Sequence, residues 1–212
     1  MTRLILSLTL FASSLAASAD DSLPKELPPE HEVPALLSAE TTGLAIYRHD
    51  QAAAVATDAA LKVRSFKKDK RVNGWITEER QGNVVVTFVD KTPVALYRVS
   101  VSNGIAGSLE TLETPAPLTA YETGAATARQ AALASKFEPC SKSYNSVVLP
   151  SPTDGKWLVY LIPGTTKNNV VPIGGTYRME IVGSDVVSQR GFTRTCISLQ
   201  TDPRAAAPLR RS

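Results

Sequence analysis

Two cysteines, Cys140 and Cys196, constrain this chain more than any other feature of it. They are its only cysteines, and they follow an N-terminus built like an export signal. In an oxidising compartment such a pair, with no Cys-x-x-Cys spacing, is expected to close as a structural disulfide rather than to act as a redox or metal site. The bridge closes a loop of roughly 57 residues and in the chain-entropy picture removes about 4 kcal/mol of unfolded-state freedom. Any fold must therefore return the chain near its end to the neighbourhood of residue 140.

The export reading rests on the first 19 residues. Met1-Thr2-Arg3 is a minimal positive start, and Leu4 to Leu15 is apolar apart from Ser and Thr. Ala17-Ser18-Ala19 has the small-x-small pattern that signal peptidase accepts, which places the cut before Asp20. The run is shorter than the roughly 20 residues of a transmembrane helix, and no later stretch qualifies. The residue directly after the cut is Asp20 and not cysteine, so no lipid anchor is expected. Cleavage of 19 residues from 212 leaves 193 and, with Arg3 gone, lowers the formal charge from +3 to +2. That near-neutral balance argues against a nucleic-acid partner. The expected location is periplasmic or secreted.

Residues 20–35 carry Pro24, Pro28, Pro29 and Pro34 among five acids, which reads as an extended acidic arm. Residues 36–201 read as a single domain and 202–212 as a disordered tail. From Ser38 to Lys62 apolar residues recur at helical spacing, with Tyr47-Arg48-His49-Asp50 as a break between two helices. Six cations crowd residues 62–71, with Asp69 the one acid. They suit an anionic partner or a solvated helix end. The period then changes to two, giving strands at 73–79, 84–89 and 94–101, the first two joined by a Gln81-Gly82-Asn83 turn. Residues 102–117 read as loop. Thr119-x-x-Glu122 is a capping box that opens a helix ending near Ser135. Strands follow at 146–149, 156–162, 173–182 and 187–199, with Gly183 to Asp185 as a hairpin turn. The expected fold is α+β: an antiparallel sheet of about seven strands with two main helices, in the order helix, three strands, helix, four strands.

Catalytic signatures are weak. His31 lies in the proline arm, and His49 has no second histidine at metal-ligand spacing. No Gly-x-Ser-x-Gly elbow occurs, and Gly107-Ser108-Leu109 is its nearest imitation. Glu110 and Glu113 are a carboxylate pair at a spacing common in solvated turns. No phosphate or dinucleotide loop is present. The expectation is therefore no catalytic residues, no metal site and no cofactor. The most distinctive segment is Gly174-Gly175-Thr176-Tyr177-Arg178. Two glycines permit unusual backbone angles or the close approach of another group. Tyr177 and Arg178 then project to opposite faces of a strand. Gly174, Gly175, Tyr177 and Arg178 are the candidate ligand-binding residues, with Arg178 suited to an anionic group.

Three further stretches belong with that segment: Cys140-Ser141-Lys142-Ser143-Tyr144, Trp157-Leu158-Val159-Tyr160-Leu161 and Phe192-Thr193-Arg194-Thr195-Cys196. Together they resemble a group of exported bacterial proteins of unknown function. Gly43-Leu44-Ala45-Ile46-Tyr47 with Asp50, Ala52 and Ala53 is similar to the N-terminal part of that group. Its members often carry histidine where this chain has Thr176. The resemblance implies export and a disulfide, and brings no activity or substrate. The expected function is an exported binding or accessory protein whose partner is another envelope protein or a small anionic ligand. The alternatives are a hydrolase using His49 or a serine, and an assembly or inhibitor protein that presents a sheet edge.

Overall fold

The computed structural model describes residues 27–201 apart from 154 and 166. The expected signal peptide, the start of the acidic arm and the C-terminal tail lie outside the described residues. The chain divides into two compact units, residues 1–39 and residues 40–212. Helix α1 (Pro29–Leu61) contributes residues 29–39 to the first and 40–61 to the second. In the first unit, Val33, Leu36 and Leu37 are exposed.

The acidic arm is thus helical from Pro29, a correction to the extended reading. Pro29 occupies the first helical position, where its missing N–H would have no partner in any case. Glu30 and Glu32 in the first turn suit the positive end of the helix dipole. Pro34 is tolerated within the helix at the cost of one backbone hydrogen bond. The expected break at residues 47–50 is also absent. Those polar residues make inward contacts from a continuous helix: His49 to Thr77 and Asp50 to Asn145.

After α1 come the short helix α2 (Arg64–Lys68) and the strands β1 (Gly74–Arg80), β2 (Asn83–Val89), β3 (Ala95–Ser102), β4 (Ile105–Ala106) and β5 (Glu110–Ala116). These strands form an antiparallel sheet in the order β1-β2-β3-β4, with β5 also paired to β3. Strands β4 and β5 fall in the stretch expected to be loop. Among the described residues strand β5 pairs only with β3, and such an edge admits Pro115 and the acids that hide it in the sequence.

Helix α3 (Ala120–Ala134) follows, then β6 (Tyr144–Pro150), β7 (Lys156–Pro163), β8 (Val170–Pro172), β9 (Tyr177–Val182), β10 (Asp185–Gly191) and β11 (Ser198–Gln200). A second antiparallel sheet has the order β10-β9-β7-β6, and β8 pairs β11 separately. The fold is α+β, as expected, but the single sheet of about seven strands is replaced by sheets of five, four and two. The expected strand 173–182 begins only at Tyr177, after the Gly174–Gly175 segment, and 187–199 is split where the chain turns through the disulfide.

Strand alternation assigns the two helices to opposite faces of the first sheet. Val84, Val86 and Phe88 of β2 pack with Ala52, Ala56 and Ala60 of α1 and with Phe66 of α2. The intervening Thr87 and Val89 face α3. Helix α3 also covers the second sheet: Ala125, Ala128 and Ala132 join Val148, Val159, Leu161, Met179 and Ile181 in one buried cluster. Alanine on both helices lets backbone approach sheet closely. No helix among the described residues is long and apolar enough to cross a membrane.

Candidate functional site

The second unit's part of α1 is inverted relative to an ordinary amphipathic helix. Its buried residues are His49 and the alanines at 52, 53, 56 and 60, while Leu44 and Tyr47 are 62% and 65% exposed. Beside these residues stand two hairpin turns, Gln81-Gly82 between β1 and β2 and Asn103-Gly104 between β3 and β4. Both pairs have consecutive positive φ (51° and 81°; 48° and 75°), the primed turn that a two-residue hairpin favours. Each turn carries glycine second, and a Cβ there would meet open space.

Helix and turns bound a groove of about 460 Å³. Leu44, Tyr47 and Val55 line it from the helix, Val84 and Val101 from the strands. Most of its wall is apolar, and Arg48 is the charged residue lining it. Arg48 donates to the Gly82 carbonyl and pairs with Glu79 at 3.1 Å; both side chains are about half exposed (45% and 50%), so the pair can exchange partners at little cost.

His49, one residue on, points the other way. It is 4% exposed, and its Nδ1 lies 2.8 Å from the Thr77 hydroxyl. Burial lowers its pKa, with Arg48 acting in the same direction and Glu79 against, so the ring is neutral near pH 7. A ring sealed between helix and sheet, with a threonine as its described partner, is packed as a structural residue. His31 lies exposed on the first turn of α1. Ser108 is exposed between β4 and β5. Glu110 and Glu113, three apart on β5, are both exposed, and the pairing of β5 with β3 is irregular between them and Ala116. Among the described residues no three of His, Cys, Asp and Glu stand close enough together to hold a metal ion.

Glu122 is the carboxylate that sequence reasoning underrated. The capping box forms in full: the Thr119 hydroxyl accepts from the Glu122 amide, and the Thr119 amide donates to the Glu122 carboxylate at 2.9 Å. The carboxylate, wholly buried, also accepts from the Thr87 hydroxyl at 2.7 Å and from Arg98 and Arg80 at 3.3 and 3.4 Å. Burial pushes its pKa up, but the Thr119 amide, the Thr87 hydroxyl and Arg98 outweigh burial, and the net shift is down. The signal was present in the strands: Arg80 and Arg98 occupy positions on the α3 face.

Cys140 and Cys196 are bonded, with Cα atoms 5.3 Å apart. The glycine segment serves that bridge. Gly175 has φ +87°, and a Cβ there would lie 2.5 Å from the Cβ of Cys140. A Cβ on Gly174 would meet backbone of Thr195 and Ile197 at 2.5 Å. The close approach that the two glycines permit is therefore made by the chain itself. Gly175 and Tyr177 line a recess of about 130 Å³ beside the disulfide, and Tyr177 donates to the Glu138 carbonyl. Arg178 lies on the opposite face, bonded to Glu180 at 3.2 Å. The structure thus gathers Gly174, Gly175 and Tyr177 around the bridge and separates Arg178 from them.

Compared with known proteins, the chain matches no family model, no curated protein and no solved structure.

Proposed function

We propose that the protein is an exported, non-catalytic binding domain that takes a small apolar molecule bearing one anionic group in the groove beside α1. The observation that carries this reading is the inverted helix: leucine and tyrosine are displayed over an apolar concavity with a single arginine at its rim. Such a pocket, apolar with one oriented charge, is the usual form of a small-ligand site. The anionic group would displace Glu79 from Arg48. The disulfide supports the oxidising compartment that export implies. The hydrolase alternative loses support because His49 is buried against Thr77. The sheet-edge alternative loses support at β10, where an irregularity between Val186 and Ser188 interrupts a smooth pairing edge.

The test is titration of the protein with anilinonaphthalene sulfonate, an apolar body with one sulfonate, followed by fluorescence. Saturable one-site binding is expected, weakened about tenfold or more in Arg48→Glu, since a hydrogen bond to a charged group is worth about 1.5–3 kcal/mol. Binding that is unchanged in Arg48→Glu, or non-saturable, would reject the groove as the site.

A further inference from the structure

We propose that α2 and its flanks form a docking surface for an anionic lipid bilayer. Lys62, Arg64, Lys67, Lys68 and Lys70 are all exposed, and among the described residues none has an ion-pair or side-chain hydrogen-bond partner. The one acid in the run is withdrawn from the surface. Asp69 accepts from Arg71 at 2.6 Å and from the Tyr97 hydroxyl at 2.8 Å, and its side chain is 9% exposed. The bonds from Arg71 hold its carboxyl well below the usual carboxylate range. Residues 62–71 therefore carry six cations and one anion, or +5, while the whole chain carries +3, so everything else sums to −2. The positive charge of this protein is a property of one turn of chain.

That turn is rigidly presented. Phe66, at its centre, is buried edge-on against Phe88 and Tyr97, with ring centroids 4.8 and 5.0 Å away. Phe66 fastens the helix from beneath, and the Asp69–Arg71–Tyr97 cluster fastens the segment that follows. The cations must then face outward. Exposed Leu61 and Val63 stand among them, 46% and 38% accessible. Cations interleaved with exposed aliphatic side chains match a headgroup layer, which offers phosphates at its surface and hydrocarbon beneath. A soluble polyanion offers no apolar layer for Leu61 and Val63, and α2 exposes no aromatic ring on which a base would stack.

The experiment is sedimentation of the full chain with vesicles of phosphatidylcholine alone or with about one third phosphatidylglycerol. Binding to the anionic vesicles alone is expected. It should fall steeply as salt rises from about 0.1 M to about 1 M, where the screening length shrinks from about 10 Å to about 3 Å. Each surface cation contributes about fivefold to partitioning, so Lys67→Glu with Lys68→Glu should lower it well over tenfold. The folded state should be unaffected, as both side chains are exposed. Leu61→Ser with Val63→Ser should weaken vesicle binding several-fold and leave binding to heparin unchanged. Equal binding to both vesicle types, or vesicle binding indifferent to the lysine reversals, would overturn the proposal. Binding to heparin or DNA without binding to vesicles would overturn it too, and would reassign the surface to a soluble polyanion.

Discussion

Helices α1 and α3 are both rich in alanine, and they meet the sheets in opposite ways. Helix α3 is closed at its start by a full capping box, buries a charged Glu122 and touches strands of both main sheets. In the second unit α1 buries only small side chains and His49, and turns Leu44 and Tyr47 outward. The contrast separates two tasks. A helix held by buried polar bonds and apolar contact on several sides fixes the fold. A helix seated on alanines lies close to its sheet and leaves its large side chains free to meet something else.

The largest break in this contrast should come at Glu122. Glu122→Gln leaves Arg98 without its buried counter-charge, while Arg80 keeps Glu78, and should cost about 3 kcal/mol in urea unfolding. A loss under about 1 kcal/mol would mean that α3 is not held as described. Next is Ala56→Leu, which enlarges a fully buried contact between α1 and the first sheet. Overpacking there should cost about 1–3 kcal/mol.

Acid should distinguish the two helices at a smaller scale. Burial lowers the folded-state pKa of His49 below its ordinary 6.5, so the unfolded chain takes up the proton first as pH falls. Its contribution is complete above about pH 6.5 and is lost progressively below, with a slope of at most about 1.4 kcal/mol per pH unit. Glu122 behaves conversely in origin and later in titration. Its folded pKa is below its ordinary 4.5, so its contribution is present above about that pH and is lost only as pH falls through the lower folded value. Urea midpoints measured from about pH 8 to about pH 5 should fall in the wild type and change less in His49→Gln. Identical slopes would show that His49 is not buried neutral. The smallest expected effect is at Leu44→Ala, which should alter stability by under about 0.5 kcal/mol because the side chain packs little.

What could be read in the sequence follows the same division. The capping box at Thr119 and Glu122, the period-two runs of β1 to β3 and the Gly183 hairpin were legible, because each is written in neighbouring residues. Strand β5 was not, since an edge strand tolerates the proline and acids that mark a loop. The start of α1 was not, since Pro29 at a first helical position looks the same as proline in an arm. The candidate site was missed for a different reason. Tyr47-Arg48-His49-Asp50 looked like a break, and only the fold shows Arg48 and Tyr47 at a groove while His49 and Asp50 face inward. The glycine pair was recognised as permitting close approach. That the approaching group is Cys140 depends on a contact across 35 residues, which no local pattern encodes.

The most direct test of the account is a residue-by-residue map of probe binding by amide NMR. With anilinonaphthalene sulfonate added, shifts should concentrate at Leu44, Tyr47, Val55 and the Gly82 and Gly104 turns, and should leave α3 unmoved. Tyr47→Ala should abolish the pattern without changing the rest of the spectrum. Shifts centred on α3 or on the disulfide recess, with α1 silent, would contradict the assignment of α1 as the helix that binds.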